Sequence, residues 1–81
     1  MKPETRYLYR VYNSDRDLLY VGITFHLGQR MSYHRHSQPW WSEVAEVVWK
    51  PYPTDLCTEA ERRVIYYEEP KYNVVFNRER P

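Results

Sequence analysis

Arg30, His34 and Glu61 are side chains of this 81-residue chain whose types could act on a phosphate, and Tyr9 and Tyr20 are phenols that could face one pocket from adjacent strands. Hydrolysis of a phosphodiester needs an aligned, deprotonated water, stabilised charge on the phosphorane and a stabilised leaving oxygen. A glutamate on a helix is a hard oxygen ligand, suited to Mg²⁺ or Mn²⁺ held mainly by waters and substrate phosphate. Such an ion is a Lewis acid for the leaving oxygen. The Arg30 guanidinium can fork two N–H groups onto one phosphate. His34, one helical turn later, could relay a proton or hold a phosphate. A phenol titrates near 10, so a tyrosine base needs positive charge beside it, which Arg30 and the metal could supply.

Each residue also has an ordinary use. Tyr9 and Tyr20 suit cross-strand aromatic packing, Arg30 a solvated helix face, and Glu61 the flank of an apolar stripe. Asn73 suits a turn, and Cys57 a core thiol. Trp40 and Trp41 could stack bases, although a chain this short needs at least one of them in its core. His34 and His36 cannot grip one ion from a helix, because residues two apart point roughly 200° away from each other.

Composition narrows the field. The length allows one domain, residues 1–81, with its core at about 7–76. Nine Tyr, three Trp and two Phe supply the bulk that a small core otherwise lacks. One cysteine excludes an internal disulfide framework and a thiolate zinc site. Two glycines exclude a glycine-rich phosphate loop. The apolar runs are too short for a membrane span or a signal-peptide core, so the expected location is cytoplasmic. Twelve Lys and Arg against eleven Asp and Glu give a net charge of +1, so any nucleic acid must be held by a local patch.

The elements that must position these residues follow from the pattern. Tyr7 to Tyr12 alternate as a strand, with Tyr7, Tyr9 and Val11 on one face. A polar cluster, Asn13–Asp17, joins it to a second strand, Leu18–Thr24, as an antiparallel hairpin. Gly22 inside that strand marks a bulge or a close approach to the backbone. Helical spacing follows from Phe25 to about His36, with Leu27, Met31 and Tyr33 or His34 on one stripe, stopped by Pro39. A strand is expected over Glu43–Trp49, closed by Pro51 and Pro53. Thr54 is a good cap for a helix running to Tyr67 or Glu68, with Leu56, Ala60, Val64 and Tyr67 as its apolar stripe. Pro70 ends it, and Tyr72–Phe76 could form a last short strand. The order β-β-α-β-α indicates an α+β domain, a small antiparallel sheet of about three strands flanked by helices.

Taken in order, these residues resemble the GIY-YIG nucleases, named for two tripeptides on adjacent strands. Tyr7-Leu8-Tyr9 and Tyr20-Val21-Gly22 match them, with the key tyrosines eleven residues apart. Arg30 follows Tyr20 by ten residues, His34 lies a helical turn further, and Glu61 precedes Pro70-Lys71-Tyr72-Asn73 by nine. Ile65 fills the apolar position four after the glutamate. The likeness spans roughly residues 7–73; it departs from the family in carrying Tyr7 where glycine is usual and in lacking room for a separate DNA-recognition module. The resemblance implies a metal-dependent DNA endonuclease using one Mg²⁺ or Mn²⁺ per active site. Its site would comprise Tyr9 as general base, Tyr20 as its positioning partner, Arg30 on the phosphate, His34, Glu61 on the metal, and Asn73 in support. Arg35, His36 and Lys71 are the expected phosphate contacts with DNA. The near-neutral charge also suggests a recognition partner or self-association. The alternative is a domain of the same fold that binds DNA or protein without cutting; a third reading is a tyrosine-rich interaction domain.

Overall fold

Alternation along the first strand places it between two others. The computed structural model describes residues 5–73. In it β1 (Thr5–Tyr12) pairs antiparallel with β2 (Leu18–Thr24) on one side and β3 (Glu46–Pro53) on the other, giving the order β2-β1-β3. Two helices, α1 (Leu27–Ser37) and α2 (Thr54–Glu68), complete an α+β domain of order β-β-α-β-α. A short 3-10 turn, Pro39–Glu43, lies between α1 and β3.

The sheet has a core on each face. Leu8 and Val21 pack with Cys57 and Ile65 of α2 on one face. Tyr9, Val11, Leu19 and Trp40 form the other core, beside Leu27 and Met31 of α1. The β1–β2 register slips at Val11/Tyr12, so Tyr20 faces Val11 while Leu18 faces Tyr12. The extra residue, Leu19, is the bulge. It lets Leu18 serve the α2 side and Tyr20 the α1 side, although the two are only two residues apart.

Gly22 is the cross-strand partner of Tyr9, and the Tyr9 ring lies across it. A Cβ at Gly22 would fall 2.5 Å from Tyr9 Cζ and closer still to the hydroxyl. The glycine is required by this close approach of a side chain, not by its backbone angles. Beyond Thr24, the Thr24 hydroxyl accepts the His26 N–H at 3.0 Å, where the chain turns into α1.

Three expectations are corrected. The third strand begins at Glu46 rather than Glu43, because the 3-10 turn takes Trp40 into the core. It then runs through Pro51 and Pro53, which β3 tolerates because an edge strand can point its N–H positions at solvent. At α2, Pro53 occupies the cap position and no side chain caps the helix; Thr54 is its first residue, with its hydroxyl buried and unpartnered.

The sheet-facing stripe of α2 agrees with the expected one at Ala60 and Val64 and differs at its other positions. Cys57 and Ile65 are buried while Leu56 and Tyr67 are exposed. Cys57, Ala60, Val64 and Ile65 pack inward at helical spacing, with half-buried Glu61 between them and exposed Glu68 at the helix end. Glu68 meets Arg10 of β1 in a two-pronged pair at 3.1 and 3.0 Å, which holds the end of α2 onto the sheet. The helix ends at Glu69 in the left-handed region, φ 49°, just before Pro70. Tyr72 and Asn73 are described, and the rest of the expected strand to Phe76 lies outside the described residues.

Gly22→Ala should therefore cost about 1–3 kcal/mol, because a buried ring, not a flexible chain end, must move to admit the methyl group. Urea denaturation would show this as a lower midpoint at unchanged slope; equal midpoints would mean that the Tyr9 ring can swing aside.

Candidate active site

The slip in the hairpin and the burial of Gly22 put Tyr9 and Tyr20 on one face, with ring centroids 6.2 Å apart and planes inclined by 28°. His34 is added from α1 because Leu27, Met31 and His34 form that helix's sheet-facing stripe. Tyr33, the other reading of the stripe, is exposed. His34 Nε2 lies 2.7 Å from the Tyr9 hydroxyl, joining β1 to α1 by a buried hydrogen bond. Its ring is enclosed by Tyr9, Tyr20 and Trp40 at centroid distances of 5.8, 5.0 and 5.2 Å. Trp40 in turn stacks on Tyr20 at 5.0 Å and on Tyr72 at 6.1 Å. It is therefore a wall of the site and not a free platform for bases.

The electrostatics follow from this enclosure. Burial pushes the His34 pKa down to about 4, and the Arg30 charge adds to the effect, so the imidazole is neutral above that pH. Its Nδ1 is buried without a partner. The Nε2–Tyr9 contact holds one proton between the two rings, with the phenol as donor in one His34 tautomer and the imidazole as donor in the other. Tyr9 is 0% exposed. Burial and the neighbouring Tyr20 raise its pKa well above the ordinary phenol value, while Arg30 opposes the rise. Burial and Glu61 raise that of Tyr20, again with Arg30 opposing.

Glu61 stands on the inward stripe of α2, half-buried. Burial raises its pKa, and Arg6, Arg30 and Arg62 pull it down. One carboxylate is thus ringed by three guanidinium groups drawn from β1, α1 and α2. Arg6 is a member the sequence reasoning missed, and its position in β1, one residue before the Tyr7-Leu8-Tyr9 tripeptide, was the available signal. Its guanidinium stacks 4.5 Å over the Phe25 ring, which holds it in place. Arg30 itself is exposed and lines an open cleft of about 440 Å³ with Thr24, His26, Gln29 and Tyr33.

Asn73 acts on the backbone. Its Oδ1 accepts the Val21 N–H at 2.8 Å and its Nδ2 donates to the Val21 carbonyl at 2.9 Å. Together with Lys71 N–H to Leu18 O and Tyr72 N–H to Leu19 O, it covers the outer edge of β2 next to Tyr20. All three expected phosphate contacts, Arg35, His36 and Lys71, are exposed. Arg35 and His36 are exposed further along α1, with His36 Nδ1 turned back to the Ser32 carbonyl at 2.8 Å. Lys71 lies 3.8 Å from Glu43 and 5.1 Å over the Tyr72 ring. Among the described residues, no group of three or more His, Cys, Asp and Glu is placed to hold a metal ion, and Glu61 is the one carboxylate of the set. No helix among them is long and apolar enough to cross a membrane.

The folded pKa of His34 lies below the unfolded value of 6.5, so protons favour the unfolded chain. The stability gained by burying neutral His34 is complete above pH 6.5, falls as acid is added, and is lost by about pH 4. The loss is on the order of 2–3 kcal/mol. His34→Gln should be less stable than wild type at neutral pH, with the deficit narrowing as pH falls through this window. A deficit independent of pH, measured by urea denaturation, would place the stabilisation elsewhere. No family model, curated protein or solved structure matches this chain.

Proposed function

We propose that the protein is a metal-dependent DNA endonuclease of the GIY-YIG type, acting in the cytoplasm and cutting one strand per active site. The observation that carries this reading is the convergence of Tyr9, Tyr20, Arg30, His34 and Glu61, drawn from four separate elements, within electrostatic reach of one another. Packing alone does not require an inward glutamate surrounded by arginines.

The donor set fits a hard divalent cation that takes most of its ligands from water and phosphate, since it offers a single carboxylate and no sulfur. Glu61 would hold Mg²⁺ or Mn²⁺, which supplies Lewis acidity and positive charge next to the phenols. Arg30, reaching both the cleft and the phenols, would bind the scissile phosphate. Tyr9 is the proposed general base. Arg30 favours its phenolate, and His34 Nε2, 2.7 Å away, would donate to that oxygen once its proton has left. Tyr20 holds the Tyr9 ring from the side, and Asn73 holds the strand that carries Tyr20.

The complete burial of Tyr9 favours a second reading, in which the same basic surface binds DNA or a protein without cutting it.

Nicking of supercoiled plasmid separates the two. Wild type should nick only with Mg²⁺ or Mn²⁺, and Glu61→Ala should lose at least about 100-fold in rate. Inactivity of wild type on plasmid, branched and single-stranded DNA would leave the binding reading. Equal rates for both proteins would remove Glu61 from the site.

A further inference from the structure

The two edges of the sheet are unlike. The outer edge of β2 is covered by the backbone of Lys71 and Tyr72 and by the Asn73 side chain. Among the described residues, nothing pairs with the outer edge of β3. That edge carries two large apolar side chains, Val48, 42% exposed, and Trp49, 55% exposed. An open apolar edge is a template for another strand.

The geometry of β3 selects what can pair there. Pro51 and Pro53 have no N–H and sit at positions facing away from β1. By the same alternation, the N–H and C=O groups of Val47 and Trp49 also point outward. Ala45 turns its N–H onto the Tyr12 carbonyl at 2.8 Å, which ends the open edge on that side. The usable edge is therefore the five residues from Glu46 to Lys50, which read acidic, apolar, apolar, apolar, basic.

We propose that the protein self-associates through β3, a second copy pairing antiparallel about a two-fold axis at Val48. In this register, Val47 of each copy exchanges backbone hydrogen bonds with Trp49 of the other. Glu46 then faces the second copy's Lys50, and Lys50 its Glu46, so opposite charges meet twice. An axis at Trp49 would bring Pro51 into the ladder without a donor. An axis at Lys50 would set two lysines opposite each other. Glu46 is free to take part, because its contact with Arg16 is long, 3.8 Å, and exposed. Since the β2 edge is covered, the product is a closed dimer with a six-stranded sheet and not a growing fibre. This inference does not depend on the proposed nuclease activity.

Sedimentation equilibrium of the full chain over about 10–500 µM tests it, because a contact limited to one strand edge is expected to have a Kd on the order of 10–100 µM. Lys50→Glu and Glu46→Lys each place like charges opposite one another and should weaken the dimer about tenfold. Both side chains are exposed, so the folded monomer should survive either change, which circular dichroism checks. The double swap, Glu46→Lys with Lys50→Glu, should restore wild-type affinity to within about threefold. Monomeric wild type throughout the range overturns the proposal. So do single variants that dimerise as wild type does, or a double swap that remains weakened.

Discussion

A phenol hydroxyl taken wholly out of water must be hydrogen-bonded, and the one on Tyr9 sets the terms for the rest of this structure. Its ring can lie flat against the sheet only because its cross-strand neighbour is Gly22, which has no side chain to occupy that space. Its hydroxyl is then met by His34, 2.7 Å away, so α1 must approach the sheet at the level of His34. With His34 so placed, Trp40 closes over it and stacks on Tyr20. The 3-10 turn is the local geometry that brings Trp40 there directly after Pro39. Each step is a packing consequence of the one before, beginning from a single small residue in β2.

On the other face of the sheet, α2 buries an imperfect stripe. Cys57 and Ile65, with Ala60 and Val64 beside them, give it apolar contact with Leu8 and Val21, and two carboxylates, Glu61 and Glu68, flank that contact. The two carboxylates have different fates. Glu68 lies near the helix end and is matched by the fork of Arg10, so its charge is directly compensated. Glu61 is in none of the ion pairs seen among the described residues. It is compensated at longer range by Arg6, Arg30 and Arg62, while burial works against its charged form. A carboxylate compensated in this loose manner is better able to exchange partners than one held in a bidentate pair.

This difference explains how much was legible in the sequence. The hairpin, both helices and the α+β order follow from alternation, the polar cluster and the prolines, because those signals are local. The stripe of α2 holds at Ala60 and Val64, while Leu56 and Tyr67 are exposed because the helix turns its Cys57 and Ile65 side to the sheet. The β3 boundaries were misplaced because proline was taken as a stop, whereas the edge position makes it harmless. That Tyr20 shares a face with Tyr9 depends on the bulge at Leu19, which is not a local signal. The contact between Tyr9 and His34 spans 25 positions and depends on the depth of α1, which no spacing rule supplies.

The charge of +1 for the whole chain conceals how unevenly charge is spread. Tyr9, Tyr20 and His34 are held in neutral form by burial, so they contribute shape and hydrogen bonds at neutral pH, but no field. The charged groups around them are Glu61 and the three arginines that lower its pKa. Positive charge therefore exceeds negative at this place, while pairs such as Arg10–Glu68 and Arg63–Glu59 cancel elsewhere on the domain. An anion approaching the protein meets this excess at Arg30, which faces the open cleft. A near-neutral domain can thus attract phosphate locally while its long-range pull on a polyanion stays weak. Affinity for a long nucleic acid would have to come from contacts beyond this one cluster.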